Sequence, residues 1–190
     1  MSERQTPEEL IQTYHLEHRS GKGKLKIFLG YAAGVGKTYA MLKAAHRAKN
    51  KGIDVVAGYV EPHCRPDTIR LLDGLEQLPT LKLTYHDIKL REFDLEAALR
   101  RRPQLILVDE LAHTNADGCR NKKRYQDVEE LLRAGIDVYT TVNIQHLESL
   151  NDVVASFTGI HVQERVPDWV FDSADQTEIV DIEPDDLITR

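Results

Sequence analysis

Gly34, Gly36, Lys37 and Thr38 have the residue types and the spacing to hold a chain of phosphates. Gly34 and Gly36 admit backbone angles that a side chain would forbid, so successive N–H groups can turn toward one anion. A helix starting at this point would add the partial positive charge of its N-terminus. Lys37 supplies a mobile cation for the β- and γ-phosphates, and the hydroxyl of Thr38 is a hard oxygen ligand suited to Mg²⁺. The predicted cofactor-binding set is Ala33, Gly34, Val35, Gly36, Lys37, Thr38 and Tyr39. The pattern Gly-x4-Gly-Lys-[Ser/Thr] is broken at its first position, where Tyr31 stands and Gly30 lies one residue earlier. The later half of the loop, which makes most phosphate contacts, is intact.

A second element carries carboxylates. Leu105-Ile106-Leu107-Val108 is an apolar run ending in Asp109-Glu110, as expected of a core strand delivering acids to the carboxyl edge of a sheet, where ligands bind in open α/β folds. Asp109 would hold Mg²⁺ through water, opposite Thr38. Glu110 would orient or deprotonate a nucleophile attacking the γ-phosphate. The predicted catalytic residues are therefore Lys37, Asp109 and Glu110, the metal ligands Thr38 and Asp109, and the cofactors ATP and Mg²⁺. Further residues fall on the same rim. Glu61, His63 and Arg65 follow one strand, and Glu61 is either a second carboxylate near the γ-phosphate or a solvated acid. Thr141 and Asn143 would sense the γ-phosphate or simply form a turn. His113-Thr114-Asn115 would either move with nucleotide state or form a plain loop. The run from Arg120 to Arg124 reads as an arginine finger or a solvated charge run.

The elements that must position these residues can be read from periodicity. Leu25, Ile27 and Leu29 alternate with Lys26, Phe28 and Gly30 as a first strand, and Met41, Leu42, Ala45 and Ala48 follow at helical spacing, stopped near Gly52. Ile53 to Val60 predicts a second strand, Asp67 to Leu72 and Asp94 to Arg101 predict helices, and Leu81 to Tyr85 predicts an edge strand. Tyr125, Val128, Leu131 and Leu132 mark a helix stopped by Gly135, and Ile136 to Thr140 a further strand. Such alternation implies an α/β fold of the P-loop NTPase type, a mostly parallel sheet with helices on both faces. At the start, Thr6, Pro7 and Glu9 form a helix-start signature before Leu10, Ile11 and Tyr14, and a basic, glycine-containing connector follows. Residues 1–23 are thus expected to be an appendage on a nucleotide-binding domain spanning 24–190.

At 190 residues with 41% hydrophobic content, the chain can bury one full core. It carries no secretory signal and no apolar run of membrane-spanning length. Cys64 and Cys119 form no metal or redox pair, which suits a reducing cytoplasm. Neither do His46, His86 and His161 show metal-ligand spacing; His146 is a weak site candidate. A net charge of −6 argues against general nucleic-acid binding. The acid-rich stretch from about residue 166 reads as a solvated, linker-like face.

Taken together, four segments resemble the KdpD family of bacterial potassium-sensor histidine kinases, in its N-terminal cytoplasmic domain. They are Gly-Tyr-Ala-Ala-Gly-Val-Gly-Lys-Thr-Tyr-Ala-Met-Leu (30 to 42), Val-Asp-Glu-Leu-Ala-His-Thr-Asn (108 to 115), Lys-Lys-Arg-Tyr-Gln-Asp-Val-Glu-Glu-Leu-Leu (122 to 132) and Asp-Val-Tyr-Thr-Thr-Val-Asn-Ile-Gln-His-Leu-Glu-Ser-Leu-Asn-Asp (137 to 152). The displaced first glycine looks like a trait of that family. The resemblance implies an ATP-binding domain ahead of a universal-stress-type domain, four transmembrane helices and a histidine kinase core. It implies a homodimeric inner-membrane protein that controls a high-affinity potassium pump through the response regulator KdpE, with this domain in the cytoplasm. The family pattern runs on past Asp185-Asp186-Leu187, so fraying is expected there. Three functions are in view: a regulatory nucleotide switch read by other domains of the same kinase; a P-loop phosphotransferase acting on a protein Ser/Thr hydroxyl, for which the potassium pump is a candidate; and a nucleotide-free docking module, against which intact Lys37, Thr38, Asp109 and Glu110 argue.

Overall fold

A computed structural model describes residues 21–61, 63, 65–85 and 88–181. The predicted helix beginning at Thr6, together with Cys64, His86, Glu183, Asp185 and Asp186, lies outside the described residues. The elements in chain order are β1 (Leu25–Gly30), α1 (Lys37–Asn50), β2 (Val55–Tyr59), α2 (Pro66–Asp73), β3 (Glu76–Gln77), β4 (Leu81–Tyr85), β5 (Ile88–Glu92), α3 (Leu95–Arg101), β6 (Leu105–Val108), α4 (Arg124–Arg133), β7 (Asp137–Asn143), α5 (Glu148–Thr158), α6 (Asp168–Asp172) and β8 (Gln176–Val180). A short 3-10 turn, Ile144–His146, links β7 to α5.

Six strands form one sheet in the order β3-β2-β6-β7-β1-β8, and every pairing in it is parallel. Parallel strands need crossover connections, and the helices that supply them cover both faces. On one face Phe28, Leu105 and Leu107 pack with Met41, Leu42 and Ala45 of α1 and Leu72 of α2. On the other, Ile27, Ile106 and Val138 pack with Leu95 and Ala98 of α3, Val128 and Leu131 of α4, and Val170 of α6. The α/β architecture with two covered faces matches the prediction. No helix among the described residues is long and apolar enough to cross a membrane.

Two segments differ from the sequence reading. Leu81–Tyr85 does not edge the main sheet; it pairs antiparallel with Ile88–Glu92 as a separate two-stranded ribbon, and the edge beside β2 is taken by Glu76–Gln77. Leu83 faces Leu90 across that ribbon, which gives its apolar residues a local partner. The acid-rich stretch also contains more structure than a linker: its residues Gln176–Val180 add a parallel strand beside β1. The acids there are used. Asp175 accepts a hydrogen bond from the Leu25 amide at 2.7 Å, and Glu178 pairs with Lys26 at 2.7 Å.

Candidate functional site

β1, β6 and β7 all end at the same rim of the sheet, and the site is built there. β1 runs into the glycine-rich turn and then into α1, whose first turn holds no acidic residue, so its N-terminal partial charge is left for an anion. Gly34 and Gly36 have φ of 91° and 99°, the left-handed region that the pattern demands of glycine. Lys37 reaches back across the turn, its Nζ donating to the Ala32 carbonyl at 2.9 Å. Burial lowers the pKa of this ammonium, partly opposed by the nearby negative charge of Asp109.

Gly30 explains the displaced glycine. A Cβ at this position would lie 2.6 Å from Val35 Cγ2 and 2.8 Å from Lys37 Cδ. The turn therefore closes over Gly30 because nothing stands in its way, and Val35 is buried beneath it. Gly30→Ala is expected to destabilise the fold by about 1–3 kcal/mol through this overpacking. Urea unfolding checks it; an unchanged midpoint would show that the turn can shift at no cost.

β7 lies between β1 and β6 in the sheet, so the acids at the end of β6 meet the loop across the end of β7. The Thr38 hydroxyl donates to Asp109 Oδ2 at 3.1 Å, and the hydroxyl of Thr141 on β7 donates to Asp109 Oδ1. The Glu61 amide adds a further hydrogen bond to Asp109 Oδ2 at 3.3 Å. Asp109 is almost wholly buried, with these donors around its carboxylate. Glu110 follows in the left-handed region at φ 61°, unusual for a residue with a side chain and a mark of a shaped site. Burial, reinforced by the charge of Asp109, raises its pKa. His63 approaches its carboxylate at 3.9 Å.

Together these groups wall a cavity of about 470 Å³, within the range of small-molecule sites. Ala33, Gly34, Gly36, Lys37, Thr38, Tyr39, Asp109 and Glu110 all line it, whereas the Val35 side chain points into the core. Glu61, His63, Arg65, Thr141, Asn143 and His146 also lie on its wall. Thr141 is committed to Asp109, but the amide oxygen of Asn143 is buried with no hydrogen-bond partner among the described residues.

The run from Arg120 to Arg124 supplies no free arginine finger. Arg120 pairs with Glu130 at 2.7 Å, away from the cavity. Arg124 is fully buried: it donates to the Asp109 carbonyl at 3.0 Å, to Glu92 Oε2 at 2.9 Å and to Asn115 Oδ1 at 3.3 Å, and its guanidinium lies 4.4 Å from the centre of the Tyr59 ring. It therefore holds the backbone of the acidic pair from behind. His113 bonds Glu92 at 3.0 Å and Asn115 bonds Asp127 at 2.7 Å, so the loop after Glu110 is pinned to its surroundings. His46 bonds the Leu71 carbonyl at 2.7 Å, a packing role.

The family profile described as "KdpD: Osmosensitive K+ channel His kinase sensor domain" matches residues 21–190. The chain belongs to the KdpD family. Sensor protein KdpD of Clostridium acetobutylicum is 59% identical over 189 residues, 99% of this chain and 21% of that protein. Sensor protein KdpD of Escherichia coli K12 is 57% identical over 187 residues, 98% of this chain and 21% of that protein. A putative sensor protein KdpD of Synechocystis is 53% identical over 169 residues, covering 89% of this chain and 46% of that protein. The chain spans about a fifth of the length of the first two KdpD relatives.

Proposed function

We propose that the chain is an ATP-binding regulatory domain of a two-component sensor histidine kinase that controls high-affinity potassium uptake. The observation that carries this reading is the 3.1 Å hydrogen bond from Thr38 to Asp109, which joins the end of the glycine-rich turn to a carboxylate on the cavity wall. A hydroxyl and a carboxylate side by side form an all-oxygen donor pair that fits Mg²⁺, an ion bound through one or two protein ligands plus waters and substrate phosphates. Thr38 and Asp109 would hold the ion, which would supply charge neutralisation at the phosphates. The N–H groups from Ala33 to Tyr39 and the Lys37 ammonium would take the phosphate oxygens.

As a switch, the site acts through the loop after Glu110, whose differential contacts with the two ligand states set the size of any response. That loop is read by other domains of the same kinase. The full-length protein would be a homodimer of the inner membrane, this domain would lie in the cytoplasm, and its output would pass to the response regulator KdpE. Titration with ATP, with and without Mg²⁺, tests the reading, with amide hydrogen exchange followed over residues 110–116. One saturable, Mg²⁺-dependent site with slowed exchange in that loop is expected; no saturable binding overturns it.

The position of Glu110 favours a second reading, phosphate transfer to a protein Ser/Thr hydroxyl, with the potassium pump as a candidate acceptor. Glu110 would take the hydroxyl proton as the new O–P bond forms and ADP leaves. Its raised pKa sets the sign of the pH profile. A base must be ionised, so turnover is expected to fall as pH drops through a value above the ordinary carboxylate range, earlier than for an exposed Glu. Label from γ-labelled ATP on a protein hydroxyl supports this reading if the wild-type rate shows this acid limb and Glu110→Gln keeps ATP binding but removes the label. An unaltered transfer rate in Glu110→Gln rules Glu110 out as the base.

A further inference from the structure

Arg65 stands over the glycine-rich turn, in a position that the Arg65-Pro66 pair dictates. A residue before proline is kept out of helical geometry, and Arg65 accordingly sits at φ −88°, ψ 119° while α2 begins at Pro66. Its side chain leaves the helix and crosses to the loop, where Nη1 donates to the Gly34 carbonyl at 3.1 Å. Apart from that one exposed bond the guanidinium is free: among the described residues no carboxylate pairs with it. Two cations from separate elements therefore converge on one turn, Lys37 on the Ala32 carbonyl and Arg65 on the Gly34 carbonyl, and both line the cavity. A polyanion lying over the turn meets both charges, and one of higher charge is attracted more strongly. The planar fork of an arginine suits phosphate oxygens, and exchanging one exposed neutral acceptor for a charged one is favourable.

We infer that Arg65 is the arginine that recognises the terminal phosphate of a bound nucleoside triphosphate and makes the site discriminate ATP from ADP. The inference rests on the nucleotide reading above. It assigns to the connection between β2 and α2 the task that Arg120 and Arg124, tied to Glu130 and Glu92, cannot perform.

Titration calorimetry of ATP and of ADP, both with Mg²⁺, on the wild-type chain, Arg65→Ala and Arg65→Lys tests it. In Arg65→Ala the ATP affinity is expected to fall by about tenfold or more, the scale of one charge-assisted hydrogen bond, while ADP changes by less than about threefold. Arg65→Lys recovers part of the ATP preference, and the unfolding temperature of the nucleotide-free protein stays where it was. Equal weakening of both nucleotides would mean that Arg65 only clamps Gly34, and unchanged binding of both would mean that it does nothing; either overturns the inference while leaving the nucleotide reading of the site standing. A wild-type chain that binds neither nucleotide overturns the underlying reading instead.

Discussion

Lys37→Ala is expected to weaken Mg²⁺-ATP binding by about 100-fold or more, the loss of roughly two charge-assisted hydrogen bonds to phosphate oxygens. The folded chain itself should scarcely notice. Lys37 is held partly buried, its ammonium bonded to the single Ala32 carbonyl, and that burial works against its charge. Removing the side chain gives up one hydrogen bond and also removes a desolvation cost, so the unfolding midpoint is expected to move by no more than about 4 °C for a chain of this size. Calorimetric titration beside a thermal melt separates the two effects. Binding retained within tenfold would show that the loop does not hold the phosphates through Lys37.

The opposite pattern is expected for Arg124→Met, which should cost about 3–5 kcal/mol of stability at neutral pH. Arg124 is fully buried, and without it Glu92 is left as a buried carboxylate short of a partner, while the Asp109 carbonyl loses its donor. The acid dependence follows from the surroundings of Glu92, of which His113 is the foremost and Arg124 a lesser part. Burial alone would raise the pKa of Glu92, but its hydrogen bond to His113, the charge of His113, the Ala116 amide and Arg124 leave it lowered. A lowered folded-state value means stability that is present above the ordinary carboxylate range and is lost as pH falls through it toward Glu92's own value. Urea unfolding of the wild type should show that decline, and the decline should shrink in Arg124→Met. A variant within about 1 kcal/mol of wild type, on the scale set by other buried pairs, would mean that the network contributes little.

Chemistry written into local spacing is legible in the sequence itself. The turn from Gly34 to Thr38 and the Asp109-Glu110 pair are each contiguous, and each sits between apolar runs whose period reveals a strand or a helix, so their meeting at one rim follows from the fold class. Arg124 is not legible in this way. Its run looks like a solvated charge cluster, and only the approach of β5, which carries Glu92 more than thirty residues earlier, turns one member of it inward. The strand at Gln176–Val180 is hidden for a related reason. It is an edge strand with mostly exposed residues, so it lacks the apolar alternation that marks β1 or β6, and its pairing depends on Asp175 and Glu178 meeting Leu25 and Lys26. Arg65 is visible as a rim residue, but its reach to Gly34 depends on the direction in which the Arg-Pro step throws the chain.

The strand order has a consequence for how the protein is made. β1 carries the turn and is near the start of the described chain, yet its two neighbours in the sheet are the last strands among the described residues, with 113 residues separating Lys24 from its partner Asp137 and 150 separating Leu25 from Asp175. Such distant pairings form slowly, because a long loop must close before any contact rewards it. During translation β1 leaves the ribosome with both edges bare and waits for nearly the whole domain to follow. A chain halted or clipped before residue 176 holds its glycine-rich turn on a strand supported from one side only.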